Sequence, residues 1–111
     1  MIQIKTSFLI GLNDKNTLKQ EIKTQEAIKA IKQVLFKHGF NYMSITRQAG
    51  VYVMEESKAQ VQEKSIKVEV IESIKSTLKH KKARRAVVED LKQVLNQESI
   101  GLIFQFINAR F

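Results

Sequence analysis

Lys75–Gln97 reads KSTLKHKKARRAVVEDLKQVLNQ, and the fold turns on how this stretch is taken. From Ala83 onward, Ala83, Ala86, Val87, Leu91, Val94 and Leu95 recur at three- and four-residue spacing. Glu89, Asp90, Lys92 and Gln93 fall on the other side, which makes an amphipathic helix ended by Asn96 and Gln97. The eleven residues Lys75–Arg85 hold Lys75, Lys79, Lys81, Lys82, Arg84 and Arg85, with His80 and no acid. They read as a basic connection running into the helix. Arg84 and Arg85 then stand in its first turns, where the helix dipole disfavours cations, so an anionic partner is expected there.

Upstream, Ile66, Val68 and Val70 alternate with Lys67 and Glu69, giving a strand over about Val61–Ile71. A polar turn, EESKAQ, precedes it. Before the turn, Met43, Ile45, Ala49, Val51 and Val53 share one parity and Tyr42, Ser44, Thr46, Gln48, Tyr52 and Met54 the other, which predicts a long hairpin. Arg47 is the charged member of the apolar series, and a bulge at Gly50 that re-phases the strand accounts for it better than a buried anion does. Downstream, IGLIFQFINARF is a last strand, with Leu102, Phe104 and Phe106 facing one way and Ile103 and Ile107 the other.

The N-terminal part repeats the pattern. Ile2, Ile4, Thr6, Phe8, Ile10 and Leu12 alternate along a strand, and NDKNT forms a turn in which Asp14 bonds nearby backbone. A helix over about Gln25–Lys37 follows, with Thr24 as N-cap and Gly39 as the C-terminal cap residue. The order strand, helix, strand, strand, helix, strand predicts an α+β, ferredoxin-like split β-α-β sandwich (βαββαβ) as one domain over residues 1–111. Two helices would cover one face of a four-stranded antiparallel sheet. They would bury Ile2, Ile4, Phe8, Ile10, Val68, Val70, Leu102, Phe104 and Phe106. The other face would carry Leu9, Tyr52, Met54, Ile71, Ile103 and Ile107, a contiguous apolar patch that predicts a homo-oligomer.

Composition narrows the chemistry. The chain has no cysteine and no proline, so disulfides, thiolate metal sites and thiol nucleophiles are excluded. Nineteen Lys and Arg against eleven acids give a net charge of +8, which favours polyanions. No apolar run approaches the ~20 residues of a membrane span, and the N-terminus lacks signal-peptide character. A cytoplasmic protein is expected. Glycine-rich phosphate loops, the G-x-S-x-G elbow and the aromatic signature of RNA-recognition domains are absent. His38 at a helix end and His80 in the basic run have no partnered acids in sequence, so no metal or other cofactor is expected. Asp14 follows the first strand, where some nucleases of this fold order carry an acid; a turn-forming role fits it better.

These readings predict a non-enzymatic binding module whose basic surface engages a nucleotide-type ligand or nucleic acid. Lys79, Lys81, Lys82, Arg84 and Arg85 would supply charge, and Arg47 the two-pronged contact. The alternative is an interaction or inhibitor module whose exposed sheet face docks a host protein.

The segment FLIGLNDKNTLKQEIKTQEAI, Phe8–Ile28, followed by a long hairpin, resembles small uncharacterised proteins carried by phages and other mobile elements. The element order is also similar to PII-like and CutA-like trimers. That resemblance implies ligands or partners at subunit clefts and hairpin loops. The PII-type phosphate- and adenylate-binding motifs are not found in this chain.

Overall fold

The structure, a computed structural model, describes residues 2–108 together with all of their side chains except that of Tyr52. In chain order the elements are β1 (Ile2–Gly11), α1 (Thr24–Lys37), β2 (Ser44–Val53), β3 (Gln60–Ser73), α2 (Ile74–Lys79), α3 (Lys81–Val94) and β4 (Gly101–Asn108). The four strands form one antiparallel sheet in the order β2-β3-β1-β4. This is the ferredoxin-like α+β arrangement, its second helix broken in two.

The basic run is helical, not a connection. Ser73 caps α2 by accepting the Ser76 N–H at 3.0 Å through its hydroxyl, and lysine is a good helix former. His80 adopts φ −90° and ψ 12°, which ends α2 and lets α3 start at the next residue. α1 ends as its sequence predicts. Gly39 takes φ 89°, and the Phe40 N–H reaches back to the Leu35 carbonyl at 3.0 Å while the Gly39 N–H bonds that of Phe36 at 3.1 Å. Phe40 is thereby turned into the core. At the start of α1, Lys23 is the capping position and caps without its side chain, and Thr24 is the first helical residue.

The core is one cluster built from Phe8, Ile10 and Leu12, from Ile66, Val68 and Val70, and from the inner faces of the helices, including Ala27, Ile31, Leu35, Val87, Leu91 and Leu95. Phe8 is fully enclosed and meets the ring of Phe40 edge-on at 6.4 Å. Four residues expected in this core are outside it. Ile2, Leu102, Phe104 and Phe106 lie on the surface, Phe106 at 76% exposure. Their parity is as predicted, since Phe104 pairs with Thr6 and Phe106 with Ile4. What differs is the reach of the helical layer. Its buried residues pack on β1 and β3, and the edge strand β4 lies beyond them. Arg84 gives β4 part of its cover, its guanidinium 5.2 Å from the centre of the Phe104 ring.

The expected bulge at Gly50 is absent. β2 and β3 keep one register from Ser44↔Glu69 to Val53↔Gln60, with Gly50 opposite Glu63. Arg47 therefore stands on the parity of Ile45, and it is exposed because the hairpin extends past the helices. The molecule measures 48 × 26 × 22 Å, which accommodates such an arm.

Candidate functional site

The register that pairs Gly11 with Ser65 brings the end of β1 and the middle of β3 together. Beyond the last paired residue, the Leu12 N–H bonds the Lys64 carbonyl at 3.0 Å, and the Asn13 N–H donates to Glu63 Oε2 at 3.1 Å. Glu63 is half-buried and has no ion pair among the described residues. Its carboxylate lies against Gly11, where a side chain would collide with it: a Cβ there would stand 2.7 Å from Oε1. A carboxylate is thus fixed by a backbone N–H and by the space a glycine leaves.

Glu63 is shared by two cavities. One, of about 400 Å³, is bordered by Leu9, Gly11, Asp14, Gln97, Ser99 and Gly101 among others. The second, of about 450 Å³, reaches along the hairpin past Ala49, Gly50 and Val51. Both volumes fall within the range of small-molecule sites. The first carries Asp14, Glu63 and Glu98 against one cation, Lys15, an acidic spot on a strongly basic chain.

The loop between β1 and α1 is held in place. Asn13 and Gln20 form an isolated antiparallel bridge, and the buried Gln97 donates to the Asn13 carbonyl at 2.6 Å. Asp14 makes the turn: Oδ1 accepts the N–H groups of Asn16 and Thr17 at 2.8 and 3.1 Å, and Oδ2 accepts the Asn96 side-chain amide at 2.8 Å. The Asn96 bond first, and then the two backbone donors, hold this carboxyl below its ordinary value of 3.8. A group whose pKa is lowered by folding contributes its stability above the ordinary value and loses it as pH falls through the lowered one. The loop is therefore expected to loosen below about pH 4. Protection factors of the Asn16 and Thr17 amides, taken relative to the intrinsic exchange rate at each pH, should fall there in the wild type. In Asp14→Asn, protection should already be lower at pH 7 and change less on acidification.

A Gly11→Ala variant separates this site from the fold. Gly11 has ordinary strand geometry and the collision is with a flexible side-chain end, so stability should change by no more than about 1 kcal/mol. The Glu63 carboxylate must move, and binding in the adjoining cavities should fall at least tenfold. Calorimetric titration and thermal melting measure the two effects separately.

The residues singled out from sequence are dispersed. Lys79, Lys81, Lys82 and Arg85 are exposed on α2 and α3 and have no ion pair among the described residues. Arg84 is 7% exposed and donates to the Thr77 carbonyl at 2.6 Å. Burial pulls its pKa down, opposed by the charge of Glu72. Arg47 borders a different cavity, of about 300 Å³, with Thr24 and Lys64. Leu9, Ile71, Ile103 and Ile107 share the sheet face away from the helices: Leu9 pairs with Gly101, Ile103 with Ser7, Ile107 with Gln3 and Ile71 with Lys5. Met54 sits at the hairpin turn, half-exposed, and the side chain of Tyr52 lies outside the described residues. Both histidines have carboxylate partners that sequence did not reveal: His38 with Asp90 and His80 with Glu72, each at 2.6 Å. No cluster of three metal-ligating side chains occurs among the described residues. No helix among the described residues is long and apolar enough to cross a membrane.

No family model and no curated protein matches the chain. Solved structures do. A phage SAM lyase in complex with S-methyl-5'-thioadenosine aligns with a TM-score of 0.68 at 20% identity, covering 96% of this chain and 90% of that one. The same kind of protein in its apo state gives 0.69 at 20% identity, with 97% and 90% covered. The ATP complex of B. subtilis GlnK gives 0.53 at 16% identity, with 96% and 84% covered. At these identities the fold is what is shared. The resemblance to small phage proteins and to the PII-like fold stands.

One expectation falls. The sequence predicts a non-enzymatic module, but the fold is one that solved phage SAM lyases, which are enzymes, also have. Two of these three structures are complexes with small adenine-bearing molecules.

Proposed function

We propose that this protein binds S-adenosylmethionine and splits it into S-methyl-5'-thioadenosine and 2-aminobutyrolactone. The observation that carries the reading is Glu63, a carboxylate pinned over Gly11 by the Asn13 N–H and shared by two adjoining cavities. It is supported by a fold in common with phage SAM lyases over nearly the whole chain.

The chemistry suits the side chains present. S-adenosylmethionine carries a sulfonium and an ammonium against one carboxylate, a net cation that fits the acidic cavity better than a polyphosphate does. In the reaction the substrate's own carboxylate oxygen attacks Cγ as the Cγ–S bond breaks. The electron pair passes to sulfur, the lactone ring closes and neutral thioether departs. No proton need be removed, so neither histidine nor any nucleophile of the chain is required. Positive charge on sulfur decreases toward the transition state, so an anion beside it would favour the ground state. Glu63 is better placed as an acceptor for the ribose hydroxyls, orienting the nucleoside while the methionyl arm folds into its attacking conformation.

The oligomer belongs to the same reading. The exposed Phe104, Phe106 and Leu102 on edge strand β4 form an apolar strip for a second copy, and the first cavity includes Gly101, where β4 begins. A copy seated on β4 borders the cavity and excludes water from it. Phe104→Ser with Phe106→Ser should reduce the mass in sedimentation to that of a monomer and lower ligand affinity together. Thermal shift with methylthioadenosine tests the binding step: the wild type should gain several degrees at saturation, and Glu63→Gln little. A wild type that does not respond would refute the nucleoside site.

A further inference from the structure

Thr77 and Arg84, seven positions apart, are both buried, and the Arg84 guanidinium donates to the Thr77 carbonyl at 2.6 Å. Seven residues are about two helical turns, so α2 and α3 keep one side toward the sheet through the bend at His80. Hydrogen bonds run through the bend as well. The His80 N–H bonds the Ser76 carbonyl at 3.0 Å, and the Arg84 N–H bonds that of His80 at 2.9 Å. Lys75, Lys79, Lys82 and Arg85 recur at spacings of four, three and three, which puts them on the side away from the Thr77–Arg84 contact. All four are exposed, with the exposed Lys81 beside them.

The neighbouring acids are engaged elsewhere. Ser73–Val88 holds six Lys and Arg and no acid. Before it, Glu72 is turned inward and meets the Ser76 hydroxyl and His80; after it, Glu89 is bonded to Lys92 at 3.5 Å. Lys75, Lys79, Lys81, Lys82 and Arg85 have no ion pair among the described residues. Lys81 and Lys82 also open α3, so the positive end of that helix adds to their field.

The surroundings of the stripe narrow its partner. The cavities at Glu63 and at Arg47 are not bordered by any of the five cations, and the outer side of a helix gives a small anion no enclosure. A lipid surface needs a broad apolar face beside the charges. Here Val87 and Leu91 of α3 are in the core, and Ile74 and Leu78 are the large apolar residues left exposed in Ser73–Val88. Single-stranded nucleic acid is held largely by stacking on aromatic rings, and Ser73–Val88 contains no Phe, Tyr or Trp. The backbone of a duplex asks for a row of cations and nothing more. We infer that this stripe is a docking surface for the phosphates of double-stranded nucleic acid, without readout of the bases. It acts independently of the cavities at Glu63.

The test is fluorescence anisotropy with a short labelled DNA duplex of mixed sequence, set against its separated strand, phosphatidylserine vesicles and polyglutamate. Each duplex phosphate neutralised contributes about −0.9 to the slope of log affinity against log salt. Five contacts therefore give a slope of about −4.5 between about 50 and 200 mM salt. Lys79→Glu with Lys82→Glu and Arg85→Glu should lower affinity at least a hundredfold and bring the slope to about −1.8. Lys82→Gln alone should make the slope shallower by about 0.9, which keeps the test open if the triple variant is unstable. Lys15→Glu with Lys19→Glu and Lys23→Glu makes the same change of net charge at exposed positions between β1 and α1, and should cost only a few-fold. Glu63→Gln should bind the duplex as the wild type does, so the result stands apart from the nucleoside site. Absence of duplex binding at low salt, an equal loss in the Lys15, Lys19 and Lys23 variant, or equal or tighter binding of the single strand, the vesicles or polyglutamate would overturn the proposal.

Discussion

Glu63→Gln is expected to lower the release of methylthioadenosine from S-adenosylmethionine at least tenfold, with the melting temperature within a few degrees of the wild type. Among the described residues the carboxylate accepts one protein hydrogen bond, from the Asn13 N–H, and the amide oxygen of glutamine can keep it. What glutamine cannot do is accept on both oxygens from a ribose diol. Hydrogen bonds to a charged group are worth about 1.5–3 kcal/mol each. Losing one or two of them corresponds to a factor of about 10–10⁴. A variant that unfolds would show the loss without that meaning, so melting and turnover must be read together. Unchanged turnover would remove Glu63 from the site.

The second large effect concerns the fold. Phe8→Ala should destabilise the protein by about 3–5 kcal/mol, a large part of the ~5–15 kcal/mol available to a domain. Phe8 is completely enclosed, lies on β1, one of the two central strands, and meets Phe40, whose ring is tilted against that of His80 at 5.2 Å. Removing its ring opens a void between sheet and helices that neither rigid layer can close. Denaturant unfolding measures this, and a loss below about 1 kcal/mol would show that the core packs otherwise.

Local signals carried the elements well. The spacing of Ala83, Val87, Leu91 and Leu95 placed α3, and Gly39 before Phe40 marked the end of α1, because both depend on residues within a few positions. Coverage of the sheet was less legible. Phe104 and Phe106 alternate like core residues and face the helical side, but periodicity cannot say that the helices stop short of the edge strand. The basic run reads as a connection because its charges hide the cap at Ser73. Arg47 suggested a bulge because a charge on the apolar parity is unusual, and the extension of the hairpin beyond the helices is a tertiary fact.

The site itself was almost invisible. Asp14 could be read as a turn residue, and it is one. Glu63 sits in VQEKSIKV as an ordinary outward residue of a strand, and Gly11 as a small residue near a turn. Only the register pairing Gly11 with Ser65 brings them together, across more than fifty positions of sequence. His80 and Glu72 show the same limit at shorter range, joined by the bend between β3 and α3.

Incubation of the purified chain with S-adenosylmethionine, with both halves of the substrate quantified by mass spectrometry, tests the central claim most directly. The account predicts methylthioadenosine and 2-aminobutyrolactone in equal amounts, formed by the wild type and nearly absent with Glu63→Gln. Substrate recovered intact at the uncatalysed rate, or equal product from the variant, would contradict it.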